Sequence, residues 1–278
     1  MSHVIIPEAE ELLDKEIKVL DKGFVRLVDY LGGDQRIVQS ARVSYGSGTK
    51  TTREDKDLIN YLMRNAHTSP FEQVILTFHC KMPVFVARQW VRHRTARLNE
   101  ISGRYSVMKD EFYIPEENQI RIQSESNKQG RGDLLDKEKA SEIINSMSKS
   151  QSETYKTYKE YLDMGAAREL ARINLPLSLY TEWYWQIDLH NLFHFIKLRL
   201  DNHAQYEIRV YAEVLAQCAK AVAPMAYEAF EENVFYGSRF SRSEIENIKN
   251  IISGKEISLK GRIRREFFEK LGIKDEKI

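Results

Sequence analysis

The chain has 278 residues, 42% of them hydrophobic and 30% charged, with a formal net charge of +1. That is the balance of an ordinary globular protein with one large core or two modest ones, and so small a net charge gives bulk electrostatics no argument for nucleic acid. No apolar run has the length of a membrane span. The opening MSHVIIPEAEELLDKE lacks the basic flank and long apolar stretch of a signal peptide, and two cysteines, Cys80 and Cys218, make no disulfide framework, so a cytoplasmic protein is the default expectation.

In chain order, FVRLVDYL within residues 23–32 reads as a short strand closed by a Gly-Gly break. The spacing predicts a helix over 55–65, with Leu58, Leu62 and Met63 on one side. HTSPFE, residues 67–72, is a turn because Pro70 blocks helix propagation. Val74, Leu76, Phe78, Cys80 and Met82 alternate with Gln73, Thr77, His79 and Lys81, the pattern of a half-buried strand. Pro83 then opens a helix at its first position, which sets Gln89 and Arg92 three apart on one face. The chain leaves that helix near Arg94, and Ser102-Gly103 gives a flexible backbone beside Arg104. The polar residues 124–139, with Gly130 and Gly132, read as a long loop.

A helix follows to Leu162 on the period of Ile144, Met147, Gln151, Tyr155 and Tyr158. Gly165 stops it, and a short helix carries Arg168, Glu169 and Arg172 before Pro176, with Glu169 and Arg172 able to share a face. Leu177, Leu179, Trp183, Trp185 and Ile187 alternate with Ser178, Tyr180, Glu182, Tyr184 and Gln186, which predicts a strand over 177–187. Helices are predicted over 190–200 and 204–222, the second with Ile208, Tyr211, Leu215, Cys218 and Val222 on its core stripe. Ser241 with Glu244 makes a capping box, and residues 260–271 form a basic amphipathic piece. No internal repeat or linker is visible. The expectation is an α+β fold, a mixed sheet flanked by helices in a single domain over 1–278, with a C-terminal extension over 238–278.

Five arginines, Arg88, Arg92, Arg94, Arg97 and Arg104, fall within residues 88–104, with no lysine and with Glu100 as the single acid. The guanidinium is a rigid, always-charged fork that grips phosphate or carboxylate at two points, so the cluster suggests a place for anions. Polar groups able to do chemistry stand among them: Gln89, His93, Asn99, Glu100, Ser102 and Tyr105. No GxGxxG or Walker A pattern is present, which leaves phosphate binding to the arginines. The plainer reading is that such arginines pair with acids elsewhere in the fold, and composition alone does not choose. His190 and His194 have the helical spacing of metal ligands and His203 follows, but HNLFH lacks the glutamate of HExxH, and no metal is expected. His79, on the polar face of its strand, reads as structural. Cys80 and Cys218 fall on apolar faces as inert core thiols, with nothing that resembles an activated thiolate.

Arg92-His93-Arg94, seven residues, then Ser102 resembles the signature of the flavin-dependent thymidylate synthases. Around it HTSPFE, FVARQW, NEISGRYS, EFYIP, residues 168–176, LYTEWYW and LRLDNHAQYE appear in the family's order, over residues 23–211. The resemblance implies a homotetramer with shared active sites that binds FAD and methylates dUMP to dTMP. Methylenetetrahydrofolate is then the one-carbon donor, NADPH reduces the flavin, and the reduced flavin supplies hydride. It further implies a dUMP site of Gln89, Trp90, Val91, Arg92, Glu100, Ile101, Ser102, Gly103 and Arg104, in which the Ser102 hydroxyl, nearby backbone N–H groups and Arg104 hold the phosphate. Arg172 would reach it from a neighbouring subunit. Arg199 would sit against the uracil as the catalytic residue, since a fixed cation favours the anionic form of N3 and makes C5 the better nucleophile. Ser102 has no base beside it and is expected to bind and orient.

For FAD the resemblance implies Arg92, His93, Arg94, Glu100, Ser69, Glu72 and His67, with Ser44 a weaker candidate, and Asp188, Leu189, His190 and His194. One common form of the family carries Asn, Arg and Asn at 188, 190 and 194, and histidine at the last two still donates hydrogen bonds. The resemblance fades after residue 238. The rival expectation is a nucleic-acid-binding protein using the arginines of 88–104, which would bind with steep salt dependence and hold no flavin.

Overall fold

In a computed structural model that describes residues 4–43, 52–124 and 130–274, the first of two compact units, Met1–Phe230, starts with a four-residue helix, α1 (Pro7–Glu10). A hairpin of β1 (Glu16–Val19) and β2 (Gly23–Leu31) follows, then helices α2 (Asp34–Arg42) and α3 (Thr52–Arg64). Next come β3 (Ile75–Pro83), α4 (Val84–Trp90), β4 (Arg97–Glu100), the hairpin strands β5 (Arg121–Gln123) and β6 (Arg131–Leu134), the long α5 (Lys137–Asp163) and the short α6 (Arg168–Ala171). β7 (Tyr180–Asp188), α7 (Leu189–Arg199), α8 (Tyr206–Val222) and α9 (Pro224–Phe230) complete the unit.

Five strands form one sheet in the order β1-β2-β3-β7-β4. Every strand pair in it is antiparallel, and the parallel element is the isolated bridge Leu13–Leu27. The alternation read in β3 and β7 has a direct consequence in this register, where Phe78 faces Trp185 and Cys80 faces Trp183. All four side chains are buried on the face covered by α4, α7 and α8. The opposite face is polar: His79 stacks on Tyr184 with centroids 4.6 Å apart and meets Glu182 at 2.7 Å and Arg26 at 2.8 Å.

The covered face closes on Trp90, which has no exposed surface. Its ring stands edge-on to Trp183 at 5.5 Å and Trp185 at 5.2 Å, and lies 5.0 Å from Phe195 of α7 and 5.8 Å from Tyr211 of α8. Aromatic rings prefer such edge-to-face and tilted arrangements, because a positive edge then meets a negative face.

Several boundaries differ from the sequence expectation. Pro83 has extended ψ of 145° and caps α4 rather than opening it. The helix ends at Trp90, so Arg92 lies beyond the last turn and shares no helical face with Gln89. β7 begins at Tyr180, because residues 176–179 turn (Leu179 N–H to Pro176 O, 2.9 Å) and leave Leu177 62% exposed. The loop expected over 124–139 is shorter. Arg131–Leu134 pairs with Arg121–Gln123, Arg131 holds both oxygens of buried Glu207 at 2.6 Å, and the Asp136 carboxylate caps α5 through the N–H groups of Glu138 (3.1 Å) and Lys139 (3.3 Å). Paired backbone, an ion pair to a buried carboxylate and an N-cap outweigh the polar composition there.

The second unit, Glu231–Ile278, holds α10 (Arg242–Ile252) and α11 (Gly261–Leu271). The capping box is present: Glu244 N–H donates to Ser241 Oγ at 3.3 Å and Ser241 N–H to Glu244 Oε2 at 2.6 Å. Lys270 also donates to Glu244, at 2.6 Å, and holds its carboxyl well below the usual range. Leu259, Phe267 and Phe268 form this unit's core. Gly272 stops α11 in the left-handed region, φ 68°, which costs glycine little.

Since Trp90 joins β7, α7 and α8, Trp90→Ala is expected to destabilise the first unit by about 3–5 kcal/mol, read as a lower urea midpoint for its unfolding transition.

Candidate active site

The signature segment emerges from the core at Trp90 and runs along the sheet edge. The Trp90 side chain is packed away, so residue 90 could meet a ligand only through its main chain. On either side of it the chain turns outward: Gln89 is half-buried on the last turn of α4, and Val91, Arg92 and Arg94 are exposed beyond it. The Gln89 side chain donates to the side-chain oxygen of Gln205, the residue just before α8. Arg199, the last residue of α7, donates its Nε–H to His93 Nε2 at 3.1 Å and an Nη2–H to the Gln89 carbonyl at 3.2 Å. Burial lowers the pKa of Arg199. Burial, then the Arg199 charge, then His194 bring His93 down from 6.5 to about 4, so the imidazole is neutral at physiological pH.

A second group forms where β4 ends. Glu100 accepts from the buried Thr181 hydroxyl at 2.5 Å, and Ile101 N–H reaches Glu182 O at 2.9 Å. The chain then turns tightly: Tyr105 and Ser106 N–H groups donate to Ser102 O at 3.1 and 3.0 Å, and Arg104 N–H donates to Ser102 Oγ at 3.3 Å. α6 is docked on this turn through Arg168 to Tyr105 O at 2.9 Å and Arg104 to Glu169 at 3.1 Å. Gly103 allows the approach of Arg172, since a Cβ on it would stand 3.0 Å from Arg172 Cδ and 3.1 Å from its Nη1. A pocket of about 470 Å³ is lined by Glu100, Ile101, Gly103, Glu169, Arg172 and Thr181 among others.

The candidate nucleotide residues thus fall into two groups, one around Gln89, Arg92, His93 and Arg199 and the other around Glu100–Arg104 and Arg172. Among the described residues no hydrogen bond or ion pair joins the two groups. Arg172, expected to reach the phosphate from a neighbouring subunit, lies beside Gly103 of its own chain, where α6 docks on the Ser102 turn. Thr181 and Gln205, which hold Glu100 and Gln89, were not singled out in the sequence, and Glu169, read there only as sharing a face with Arg172, pairs with Arg104.

The flavin candidates are placed as follows. His67 is exposed, edge-on to Tyr61 at 5.9 Å. Ser69 is exposed, and Glu72 accepts from Thr68 Oγ1 at 3.2 Å. Asp188 caps α7, accepting from the Asn191 N–H at 2.9 Å and its side-chain amide at 2.8 Å. The Leu189 side chain is wholly buried and its N–H bonds Val74 O at 2.8 Å, so it offers a ligand no side-chain contact. His190 is half-buried and His194 exposed, the latter 5.8 Å from His93 ring to ring. Ser44 lies outside the described residues. His203 pairs with Asp201 at 2.8 Å, and among the described residues no three metal-ligating side chains converge.

Arg104 pairs with Glu169 and Arg97 reaches the amide oxygen of Gln186 at 3.3 Å. Among the described residues Arg88, Arg92 and Arg94 form no ion pair. Three cations without carboxylate partners at one helix end, with no glycine loop, suit the pyrophosphate of FAD and the phosphate of a nucleotide. Burial raises the Cys80 thiol well above its ordinary range and Cys218 to about 12, so neither is a thiolate at neutral pH.

Residues 26–225 match the family described as thymidylate synthase complementing protein, and residues 238–275 match the thymidylate synthase ThyX C-terminal domain. The curated flavin-dependent thymidylate synthase of Treponema denticola is 62% identical over 260 residues, 93% of this chain and 98% of that protein. The chain belongs to the flavin-dependent thymidylate synthase family. The Treponema pallidum member is 53% identical over 272 residues, 98% of this chain and 89% of that one. Among solved structures, a UMP/dUMP methylase, PolB from Streptomyces cacaoi, bound with 5-Br dUMP, superposes with a TM-score of 0.72 at 31% identity, over 78% of this chain and 97% of that one. The C-terminal match extends the family likeness past residue 238, where the sequence reading had ended it.

His93 gives this family member a pH signature. Its folded pKa of about 4 lies below the ordinary 6.5, so the unfolded chain binds the proton first as pH falls. The stability associated with a neutral His93 is complete above pH 6.5 and is lost as pH drops toward 4. Urea midpoints measured at pH 7.5 and 4.5 are expected to differ less in His93→Gln than in the native protein.

Proposed function

We propose that the protein methylates dUMP to dTMP, with methylenetetrahydrofolate as one-carbon donor, FAD as hydride carrier and NADPH as reductant of the flavin. Family membership supports the reaction, and Arg199 is the observation that carries the chemistry. It is half-buried, charged and held from one side by His93 and Gln89. A cation fixed against uracil in a partly desolvated place favours loss of the N3 proton. The resulting anion delocalises through the ring, and C5 becomes the nucleophilic carbon. Ser102, with its turn N–H groups, and Arg172 and Arg104 are the group suited to the 5′-phosphate. Among the described residues no base stands by the Ser102 hydroxyl, and the thiols are buried, so no side chain here is assigned a covalent role.

Arg92 and Arg94, with His190 and His194, are the residues that would hold FAD. When bound and reduced, the flavin supplies the hydride that completes the methyl group. A homotetramer with shared sites accords with the lack, among the described residues, of any hydrogen bond or ion pair between the two nucleotide groups of one chain: base contact is assigned to Arg199 and phosphate contact to Ser102. The arginines of residues 88–104 make no continuous stripe for nucleic acid, since Arg104 is paired with Glu169 on another element.

The visible spectrum of the protein with added FAD, before and after dUMP, is the first test, followed by dTMP formation. A bound-flavin spectrum that shifts with dUMP is expected, and folded protein that binds no flavin would overturn the reading. Arg199→Ala is expected to keep FAD and to lose dTMP formation by at least about 10²-fold. Ser102→Ala is expected to weaken dUMP binding by about tenfold and to retain turnover.

A further inference from the structure

Arg199 closes α7, and its own helix does not aim its guanidinium. Two contacts from the signature segment do. The Nε–H donates to His93 Nε2 at 3.1 Å, and an Nη2–H donates to the Gln89 carbonyl at 3.2 Å. That carbonyl is one of those left without a helical partner where α4 stops. Nε–H and the near Nη2–H share one edge of the planar group. The other edge, Nη1 with the second Nη2 hydrogen, lies outside both contacts.

We propose that His93 is a positioning residue for Arg199: its neutral imidazole occupies the Nε edge, so that the Nη1–Nη2 edge is the one presented to the uracil. This rests on the reading of Arg199 as the residue beside the base. The chemistry fits, since an N3 anion and an adjacent carbonyl oxygen of uracil form two coplanar acceptors that match a two-pronged donor. A guanidinium only donates, so Nε2 must carry the lone pair and the ring proton must sit on Nδ1. Protonating Nε2 would set donor against donor and charge against charge. Burial and the Arg199 charge hold that off, with His93 down at about 4. The Phe195 ring, 4.7 Å from the imidazole, fixes its plane. The assigned tautomer leaves Nδ1–H as a separate donor, with no protein acceptor among the described residues.

Two substitutions separate the ring nitrogens. The glutamine side chain places its terminal oxygen near the position of Nε2, whereas asparagine ends near Nδ1. In the flavin-loaded full-length protein, His93→Asn is expected to lower kcat by about 10–100-fold, with flavin still bound and the KM for dUMP changed by less than about threefold. His93→Gln is expected to recover at least about tenfold of that loss at saturating FAD. Crystal structures of the two variants supply a readout without turnover: the Arg199 guanidinium stays at the Gln89 carbonyl in His93→Gln and leaves it in His93→Asn. Native-like kcat in His93→Asn, an unmoved Arg199 in that variant, or His93→Gln as impaired as His93→Asn would each overturn the proposal. Native protein that forms no dTMP would instead remove the thymidylate synthase reading, and the crystal structures would still decide whether His93 aims Arg199.

Discussion

Trp90 meets Trp183 and Trp185 edge-on and packs against Phe195 and Tyr211, so a single ring holds α4, β7, α7 and α8 at their crossing. Every contact made by Arg199 depends on that packing. The Gln89 carbonyl belongs to the residue before Trp90, His93 follows three residues after it, and Phe195, which lies against His93, also lies against Trp90. A shift of the indole would move both acceptors of the guanidinium together. Core packing and ligand geometry are therefore one problem here, because interiors at near-crystalline density pass displacements to their neighbours.

The arginines divide by what they meet. Arg104 has a carboxylate, Arg97 has an amide, Arg199 has two neutral acceptors, and Arg88, Arg92 and Arg94 remain unpaired among the described residues. Neutral acceptors orient a guanidinium without cancelling its charge, and that matters for Arg199, whose proposed role is electrostatic. A carboxylate at His93 would grip it as firmly and would neutralise the field at the base.

The long regular elements were legible because their periods were clean. The alternation at Val74–Met82 and Trp183–Ile187 put the right side chains on the covered face, and the Ser241–Glu244 spacing located the cap of α10. The resemblance of the Arg92–Ser102 segment found both groups of candidate residues. What escaped were short elements whose existence depends on partners distant in sequence. β4 has four exposed residues and becomes a strand only beside β7; β6 needs β5 and the Arg131–Glu207 pair. The supports of the site, Gln205, Thr181 and Glu169, are ordinary polar residues whose meaning comes from what the fold places opposite them.

β4 is the outermost strand of its sheet, and all four of its residues are exposed. A strand with an open row of backbone donors and acceptors is a template for pairing with other chains, and charged side chains are a common defence. Arg97 stands in this strand and Arg94 just ahead of it, so the cations that make the segment attractive to anions also discourage edge-to-edge aggregation. Replacing several of them with apolar residues would leave that open edge without its charges, so the same side chains that suit the segment to anions also bear on its colloidal behaviour.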